Sequence, residues 1–178
     1  MLQVLVGRTA AVCVEAQLQG AITVGEASVV HPGASILATG GSIVLGERCF
    51  VEDGAVLVAE EDMQVGSDNL FESGCEVRSR SVGSSNWFEP KAQALKGSVI
   101  GNNCLIGSGV VVAAGERVPD NSILVAVQTP EGNTRRIVRE QKDYLVKTHA
   151  ALIQKYADIF PRGSKSPYAL EKHHELRQ

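Results

Sequence analysis

The chain has 178 residues, a formal net charge of −3 at pH 7 and an isoelectric point near 5.8, and 4% of its residues are aromatic. This length suits one domain with a substantial core, and the mild acidity argues against nucleic-acid binding or a basic membrane-binding surface. The sequence shows no secretory leader pattern and no apolar run of about 18 residues or more. We therefore expect a cytoplasmic protein that neither binds nucleic acid nor inserts into membranes.

One gapless block recurs along most of the chain. It begins with an aliphatic residue and glycine, and it has a small residue four positions later and an aliphatic residue or Phe six positions later. The blocks start 17 to 21 residues apart, at Val6, Val24, Leu45, Val65, Val82 and Ile100. Three six-residue repeats therefore form one unit, which is typical of short-period parallel β-helices. The sequence predicts an all-β domain, a left-handed parallel β-helix of six to seven coils over residues 4–127, with its hand taken from the known form of such hexads.

Equivalent positions of successive coils are expected to stack, because each strand pairs with the strand one coil further on, about 4.8 Å away. β-Branched residues suit such pleated sites. Two columns should fill the axis of the coils: Val6, Val24, Leu45, Val65, Val82, Ile100 and Val118, and Val12, Val30, Val51, Phe71, Phe88, Ile106 and Leu124.

Small residues define two further columns. Asn69 and Asn86 fall at equivalent inward positions, which predicts an amide ladder between coils. A glycine follows the first axial residue of each block, and we expect it to supply a corner conformation that a side chain would strain. These glycines are Gly7, Gly25, Gly46, Gly66, Gly83 and Gly101.

The four cysteines are predicted to be reduced structural thiols. Cys49 and Cys104 share a column but are three coils apart, which is about 14 Å and beyond the reach of a disulfide. Cys75 belongs to a different inward column, and Cys13 is predicted to point outward. No pair has CxxC spacing, so metal binding is poorly supported.

From residue 133 the periodicity changes. Pro161 and Gly163 follow an apolar stripe with helical spacing, formed by Val138, Leu145, Leu152, Tyr156 and Ile159. This pattern predicts one long C-terminal amphipathic α-helix over residues 133–160.

The last segment, residues 161–178, contains Gly, Ser, Pro and many charges but few large apolar residues. This composition predicts a flexible tail. Ser166-Pro167 within it has two interpretations. It is either a proline-directed phosphorylation site at Ser166, whose added charge would recruit a phosphopeptide reader, or a simple turn.

The predicted coils offer little catalytic chemistry. Enzymes on hexad scaffolds are mainly acyltransferases and zinc carbonic anhydrases, and the latter need three histidines on one ion. His31 is the only histidine within the predicted coils, and it falls at an outward corner rather than in a cleft where a general base would act. The sequence thus predicts no catalytic residue, no metal and no cofactor. The alternative is a homotrimeric hexapeptide-repeat enzyme, either an acyltransferase or a gamma-class carbonic-anhydrase relative.

The most unusual polar feature is a column of outward corner residues: His31, Glu52, Glu72 and Glu89. Neighbouring carboxylates about 5 Å apart repel by roughly 0.8 kcal/mol even in bulk water, so something must offset that repulsion. Two interpretations remain open. The carboxylates accept hydrogen bonds from corner amides, or the column is a docking strip for a basic partner segment.

Several motifs resemble the small left-handed β-helix subunits of dynactin's pointed-end complex. The resemblance covers nearly the whole coil region. The more specific motifs are Val12-Cys13-Val14-Glu15, Val30-His31-Pro32, Asn69-Leu70-Phe71-Glu72-Ser73-Gly74-Cys75 and Val118-Pro119-Asp120-Asn121-Ser122. Gln19-Gly20-Ala21 departs from the Arg-Gly-Asp of the zinc enzymes and of the dynactin relatives, which weakens an enzymatic interpretation further.

The resemblance implies a noncatalytic structural subunit that pairs with a second, related β-helix subunit and with other pointed-end subunits. Such proteins are cytoplasmic and cytoskeleton-associated, and they support dynein-based microtubule transport and cargo selection. The edges of an open β-helix are unpaired and would aggregate if left uncovered. Because few residues precede the first coil, we expect the N-terminal end to be the docking face for the partner subunit.

Overall fold

A computed structural model describes residues 3–159 of the chain. The strands are β1 (Val4–Val6), β2 (Ala11–Val12), β3 (Gln17–Val24), β4 (Val29–Val30), β5 (Ser35–Leu45), β6 (Phe50–Val51), β7 (Val56–Ala59), β8 (Met63–Val65), β9 (Leu70–Phe71), β10 (Glu76–Val77), β11 (Ser81–Val82), β12 (Trp87–Phe88), β13 (Gln93–Ala94), β14 (Val99–Ile100), β15 (Leu105–Ile106), β16 (Val111–Val112), β17 (Arg117–Val118), β18 (Ser122–Gln128) and β19 (Thr134–Glu140). A single helix, α1 (Asp143–Ile159), follows them.

The strands wind into a three-sided β-solenoid of about seven turns, which confirms the predicted fold class. The first face contains β2, β4, β6, β9, β12, β15 and β18, paired in parallel in that order. The second face begins with the first halves of β3 and β5 and continues through β7, β10, β13 and β16. The third face contains β1, the second halves of β3 and β5, and then β8, β11, β14 and β17.

Both predicted axial columns are confirmed by the strand register. Val6 pairs with Val24 and each later member pairs with the next, down to Val118 on the third face. The column from Val12 to Leu124 runs down the first face in the same way. No member of either column is more than 5% exposed. Phe71 stacks on Phe88 with ring centroids 5.0 Å apart, a contact worth about 0.5–1.5 kcal/mol beyond its burial.

The glycine column serves a different purpose from the one the sequence predicts. None of these glycines has a positive φ; a Cβ on Gly46 would instead lie 2.5 Å from the carbonyl oxygen of Gly66 in the next coil. The left-handed conformation belongs instead to non-glycine residues two positions later, for example Arg48 with φ 48° and Asp68 with φ 60°. The glycines are therefore needed for close approach of adjacent coils.

The predicted asparagine ladder is present, but it joins side chains to the main chain. Asn69 Oδ1 accepts a hydrogen bond from the amide of Asn86 at 2.9 Å, and Asn86 Oδ1 accepts one from the amide of Cys104 at 2.8 Å. Asn69 Nδ2 donates to two corner carbonyls at 2.9 Å each. Each asparagine thus links successive coils while both residues stay buried. Cys49, Cys75 and Cys104 are buried free thiols, and Cys13 is partly exposed.

The predicted helix over 133–160 is wrong in its first third. Residues 134–140 form β19, which pairs antiparallel with β18 along its whole length, and α1 begins at Asp143. Pro130, Glu131 and Gly132 lie in the turn between the two strands, where the Gly132 amide donates to the Thr129 carbonyl at 2.9 Å. The last coil leaves an unpaired strand edge, and pairing that edge outweighs helical periodicity in a segment with β-branched residues.

Helix α1 runs back along the outer side of the first face. Gln141 is anchored at the last coil, where its amide donates to the Asn121 carbonyl at 2.8 Å. Ile153 then packs against Val29, Phe50 and Leu70, all at most 6% exposed. Burying a large apolar side chain contributes about 1.5–3 kcal/mol, so this contact holds the helix against the coils.

Candidate interaction surfaces

The carboxylates of the predicted polar column accept hydrogen bonds from the neighbouring coil. Glu52 Oε2 accepts from the amide and the hydroxyl of Ser73, both at 3.0 Å, and Glu89 Oε2 accepts from the amide of Ser108 at 2.8 Å. For Glu52 and Glu89 these are the corner-amide bonds of the first interpretation, whereas Glu72 accepts from the indole of Trp87 instead. Docking of a basic partner segment on His31, Glu52, Glu72 and Glu89 stays a prediction.

The column also supports helix α1. The Tyr156 hydroxyl donates to Glu52, and the Tyr156 ring packs edge-on against His31 with centroids 6.3 Å apart. Trp87 Nε1 donates to Glu72 at 3.0 Å. Burial raises the pKa of Glu72, and the indole hydrogen bond opposes that shift. The sequence contained no signal for the two Tyr156 contacts, because they join segments more than a hundred residues apart.

Two histidines lie where α1 meets the first face: His31 belongs to a corner of the coils, and His149 belongs to α1. Burial lowers the pKa of His31, while the charges of Glu52 and Asp53 oppose the shift. Burial likewise lowers the pKa of His149, whose ring lies 6.2 Å from that of Trp87. Both rings therefore belong to the packing between α1 and the first face. Within residues 3–159 no group of three His, Cys, Asp or Glu side chains is placed to hold a metal ion.

The N-terminal end of the solenoid is an open edge within the described residues. β1 pairs with β3 alone and β2 with β4 alone. Val4 and Leu18 at this end are partly exposed hydrophobic residues that pack against the core. A groove of about 410 Å³ lies beside the first corner, with Leu5 and Glu26 among its lining residues. This end thus offers both unpaired main chain and apolar surface.

The C-terminal end is closed on the first face by β19. Arg136 extends from β19 across the end of the coils and binds Glu116 through two bonds of 2.7 and 2.9 Å. It also donates to the Val111 carbonyl of β16 at 3.1 Å. The Arg136 hydrogen bonds hold the pKa of Glu116 below its usual range. The helical spacing of residues 133–160 gave no signal for this contact, because it predicts that Arg136 lies in a helix.

Two expectations concern residues beyond the described part of the chain. Ser166 and the predicted tail 161–178 lie outside residues 3–159.

Helix α1, with 17 residues, is not long and apolar enough to cross a membrane.

The coil geometry defines a hexapeptide-repeat β-solenoid. The structure of a hexapeptide transferase family protein from Anaplasma phagocytophilum matches with a TM-score of 0.74 over 88% of this chain and 90% of that chain, at 15% identity. That likeness concerns the fold. No protein-family model matches the sequence.

Sequence relatives define the family more closely. Dynactin subunit 6 of Danio rerio is 30% identical over 158 residues, which cover 78% of this chain and 80% of that protein. Dynactin subunit 6 of Dictyostelium discoideum is 30% identical over 166 residues, covering 90% and 87%. The chain belongs to the dynactin subunit 6 family, as the motifs predicted. UDP-3-O-acylglucosamine N-acyltransferase of Methylorubrum extorquens (strain PA1) is 28% identical over 103 residues, but they cover only 29% of that enzyme.

Proposed function

We propose that the protein is a noncatalytic structural subunit of a dynactin complex, in which it supports dynein-based microtubule transport and cargo selection. We place it in the cytoplasm, associated with the cytoskeleton. The observation that carries the proposal is its 30% identity to dynactin subunit 6 over 80% of the Danio rerio protein. That match spans most of the chain, whereas the match to an acyltransferase covers 57% of it.

The proposed docking face for a second β-helix subunit is the N-terminal end. Three features support it: the unpaired edges of β1 and β2, the partly exposed Val4 and Leu18, and the adjacent groove beside Leu5. An exposed strand edge tends to pair with another chain. A partner whose own end strands continue the three faces would satisfy these edges and cover the apolar side chains.

The test is assembly with the second β-helix dynactin subunit of the same organism. The two full-length chains are coexpressed, and size-exclusion chromatography with light scattering measures the mass of the complex. We expect a one-to-one heterodimer. Leu5→Glu should weaken it at least tenfold, because a carboxylate would be buried at the interface.

Val111→Glu is the matched control, because Val111 is a 44% exposed hydrophobic residue in the last coil rather than the first. It should leave the heterodimer intact. A mixture of the two chains that elutes as separate species would contradict the proposal. Equal weakening by both variants would contradict the assignment of the N-terminal end.

The second candidate is a hexapeptide-repeat enzyme that assembles as a homotrimer. The acyltransferase match and the transferase-like fold favour it. His31 would then be the general base, but its ring packs against Tyr156 of α1. A stable homotrimer that binds an acyl donor or zinc in calorimetry would favour the enzyme, and a heterodimer without such binding would favour the scaffold.

A further inference from the structure

Strand β19 presents a long free edge at the C-terminal end of the solenoid. It has seven residues, whereas most strands of the coils have two. In the described part of the chain β19 pairs with β18 on one side and with nothing on the other. A strand of this length offers enough main-chain groups to hold another extended chain.

The direction of the main-chain groups follows from one hydrogen bond. The Leu124 carbonyl of β18 accepts from the amide of Gly107 at 2.7 Å, so Leu124 directs its polar groups toward the preceding coil. Main-chain groups alternate in direction along a strand, so the β18 residues next to Leu124 bond to β19. By the observed register, the β19 residues whose N–H and C=O groups face the free edge are Thr134, Arg136, Val138 and Glu140.

The side chains of β19 give this edge a positive outer surface. Arg135 and Arg139 lie opposite Val127 and Ile123 of β18, and both arginines are exposed. Neither forms an ion pair or a side-chain hydrogen bond with any residue from 3 to 159. The guanidinium of Arg136, in contrast, forms an ion pair with Glu116. Val138 lies opposite Leu124 and remains 58% exposed.

We propose that the free edge of β19 binds an extended acidic segment of a partner protein by strand addition. Main-chain hydrogen bonds would supply affinity, and alternate side chains would supply specificity. Two acidic residues of the segment would pair with Arg135 and Arg139, and an apolar residue would cover Val138. The proposal does not depend on membership in dynactin, because the edge belongs to the isolated chain.

The same arginines disfavour a second copy of this chain as the occupant. Two β19 strands pairing edge to edge would bring four outward arginines together, and like charges on adjacent strands are destabilising. Arginines on an edge strand are a known means of preventing self-association. An acidic segment would instead be attracted by the same arginines.

The test uses the full-length protein and two fluorescently labelled heptapeptides with blocked ends. One has the sequence Thr-Glu-Val-Val-Thr-Glu-Thr, and the other has lysine in place of both glutamates. Fluorescence anisotropy at low salt should show saturable binding of the acidic peptide and none of the lysine peptide. The affinity should fall as salt is added, because exposed ion pairs are screened.

Charge reversal at Arg135→Glu with Arg139→Glu should weaken the acidic peptide at least tenfold, which two exposed ion pairs can supply. It should also create binding of the lysine peptide. The control, Arg80→Glu with Arg117→Glu, makes the same net charge change at two exposed arginines outside β19. It should alter the affinity less than threefold.

Hydrogen exchange separates strand addition from loose charge attraction. Bound acidic peptide should slow exchange of the Arg136 and Val138 amides, which face the free edge. The proposal is overturned if neither peptide binds, if both bind equally, if the control variant weakens binding as much as the β19 variant, or if these amides exchange at the same rate with peptide bound.

Discussion

The two ends of the solenoid differ in how their end strands are paired and covered. At the N-terminal end, β1 and β2 have unpaired outer edges and partly exposed apolar neighbours in the described chain. At the C-terminal end, the chain turns back as β19, and Arg136 fastens β19 to Glu116 and β16. Within the described residues both ends therefore leave a strand edge unpaired, but the edge at the C-terminal end belongs to a charged hairpin strand. Under the two proposals above, the two ends would bind different kinds of partner surface.

The centre of the solenoid should be the region most sensitive to substitution, because the axial column that contains Phe71 connects the coils at both ends. Phe71→Ala should lower the free energy of unfolding by about 3–5 kcal/mol, because it leaves a cavity and removes the stacking contact with Phe88. Urea denaturation followed by circular dichroism measures it. If the ends were independent, exchange protection would fall near residue 71 and persist at the termini, which would contradict a shared core.

The Arg136 clamp is the next test. Arg136→Ala should cost about 1–2 kcal/mol, since the two-point pair with Glu116 and the bond to the Val111 carbonyl are lost together. Arg135→Ala on the same strand is the matched control and should change stability by less than about 0.5 kcal/mol. Thermal unfolding and exchange of the β19 amides report both. Equal losses of stability from the two variants would contradict a specific role of Arg136 in holding β19 against the coils.

The clamp should also depend on pH. The folded-state pKa of Glu116 lies below the ordinary value of 4.5, so its contribution is present above that value and is lost as pH falls through the lowered folded pKa. The stability difference between the wild type and Arg136→Ala should therefore shrink in acid. A difference that stays constant from neutral pH into strong acid would contradict an ionic clamp.

Tyr156 tests the attachment of α1 to the N-terminal coils. Tyr156→Phe keeps the ring on Phe50 and removes the hydroxyl that donates to Glu52. The expected loss is about 1 kcal/mol, with faster amide exchange in the last turns of α1 and no change in β19. Equal increases in amide exchange in α1 and in β19 would contradict a local effect of the lost hydrogen bond.

The smallest effect is a loosening of α1 in mild acid. Burial lowers the folded-state pKa of His31 and His149 below 6.5, although Glu52, Asp53 and Asp68 oppose the shift. Protonation then favours the undocked helix, so stability is complete above the unfolded pKa and declines as pH falls through 6.5. Trp87 fluorescence, which reports on His149, should change between pH 7 and 5. His149→Gln should reduce the change, and a flat profile in the wild type would contradict it.

The solenoid could be predicted from the sequence because its pairing is local and repetitive. Each coil pairs with the next one, so the column of Val24 and Leu45 can be aligned by spacing alone. The glycines could be located in the same way, but their role could not. The sequence cannot distinguish a residue that needs a positive φ from one such as Gly46, which needs the absence of a Cβ.

The coil period, the axial columns, the buried thiols and the family could all be predicted from the order of the residues. Three features depend on how the chain folds back on itself: whether residues 134–140 form a helix or a strand, which face α1 covers, and which arginine pairs with Glu116. The two groups of features differ in the range of the interactions that create them. Stacking between adjacent coils repeats every 18 residues or so and leaves a periodic trace. The C-terminal end of the solenoid occurs only once, so it leaves no periodic trace in the sequence. There, pairing with the edge of β18 outweighed the helical periodicity of residues 134–140.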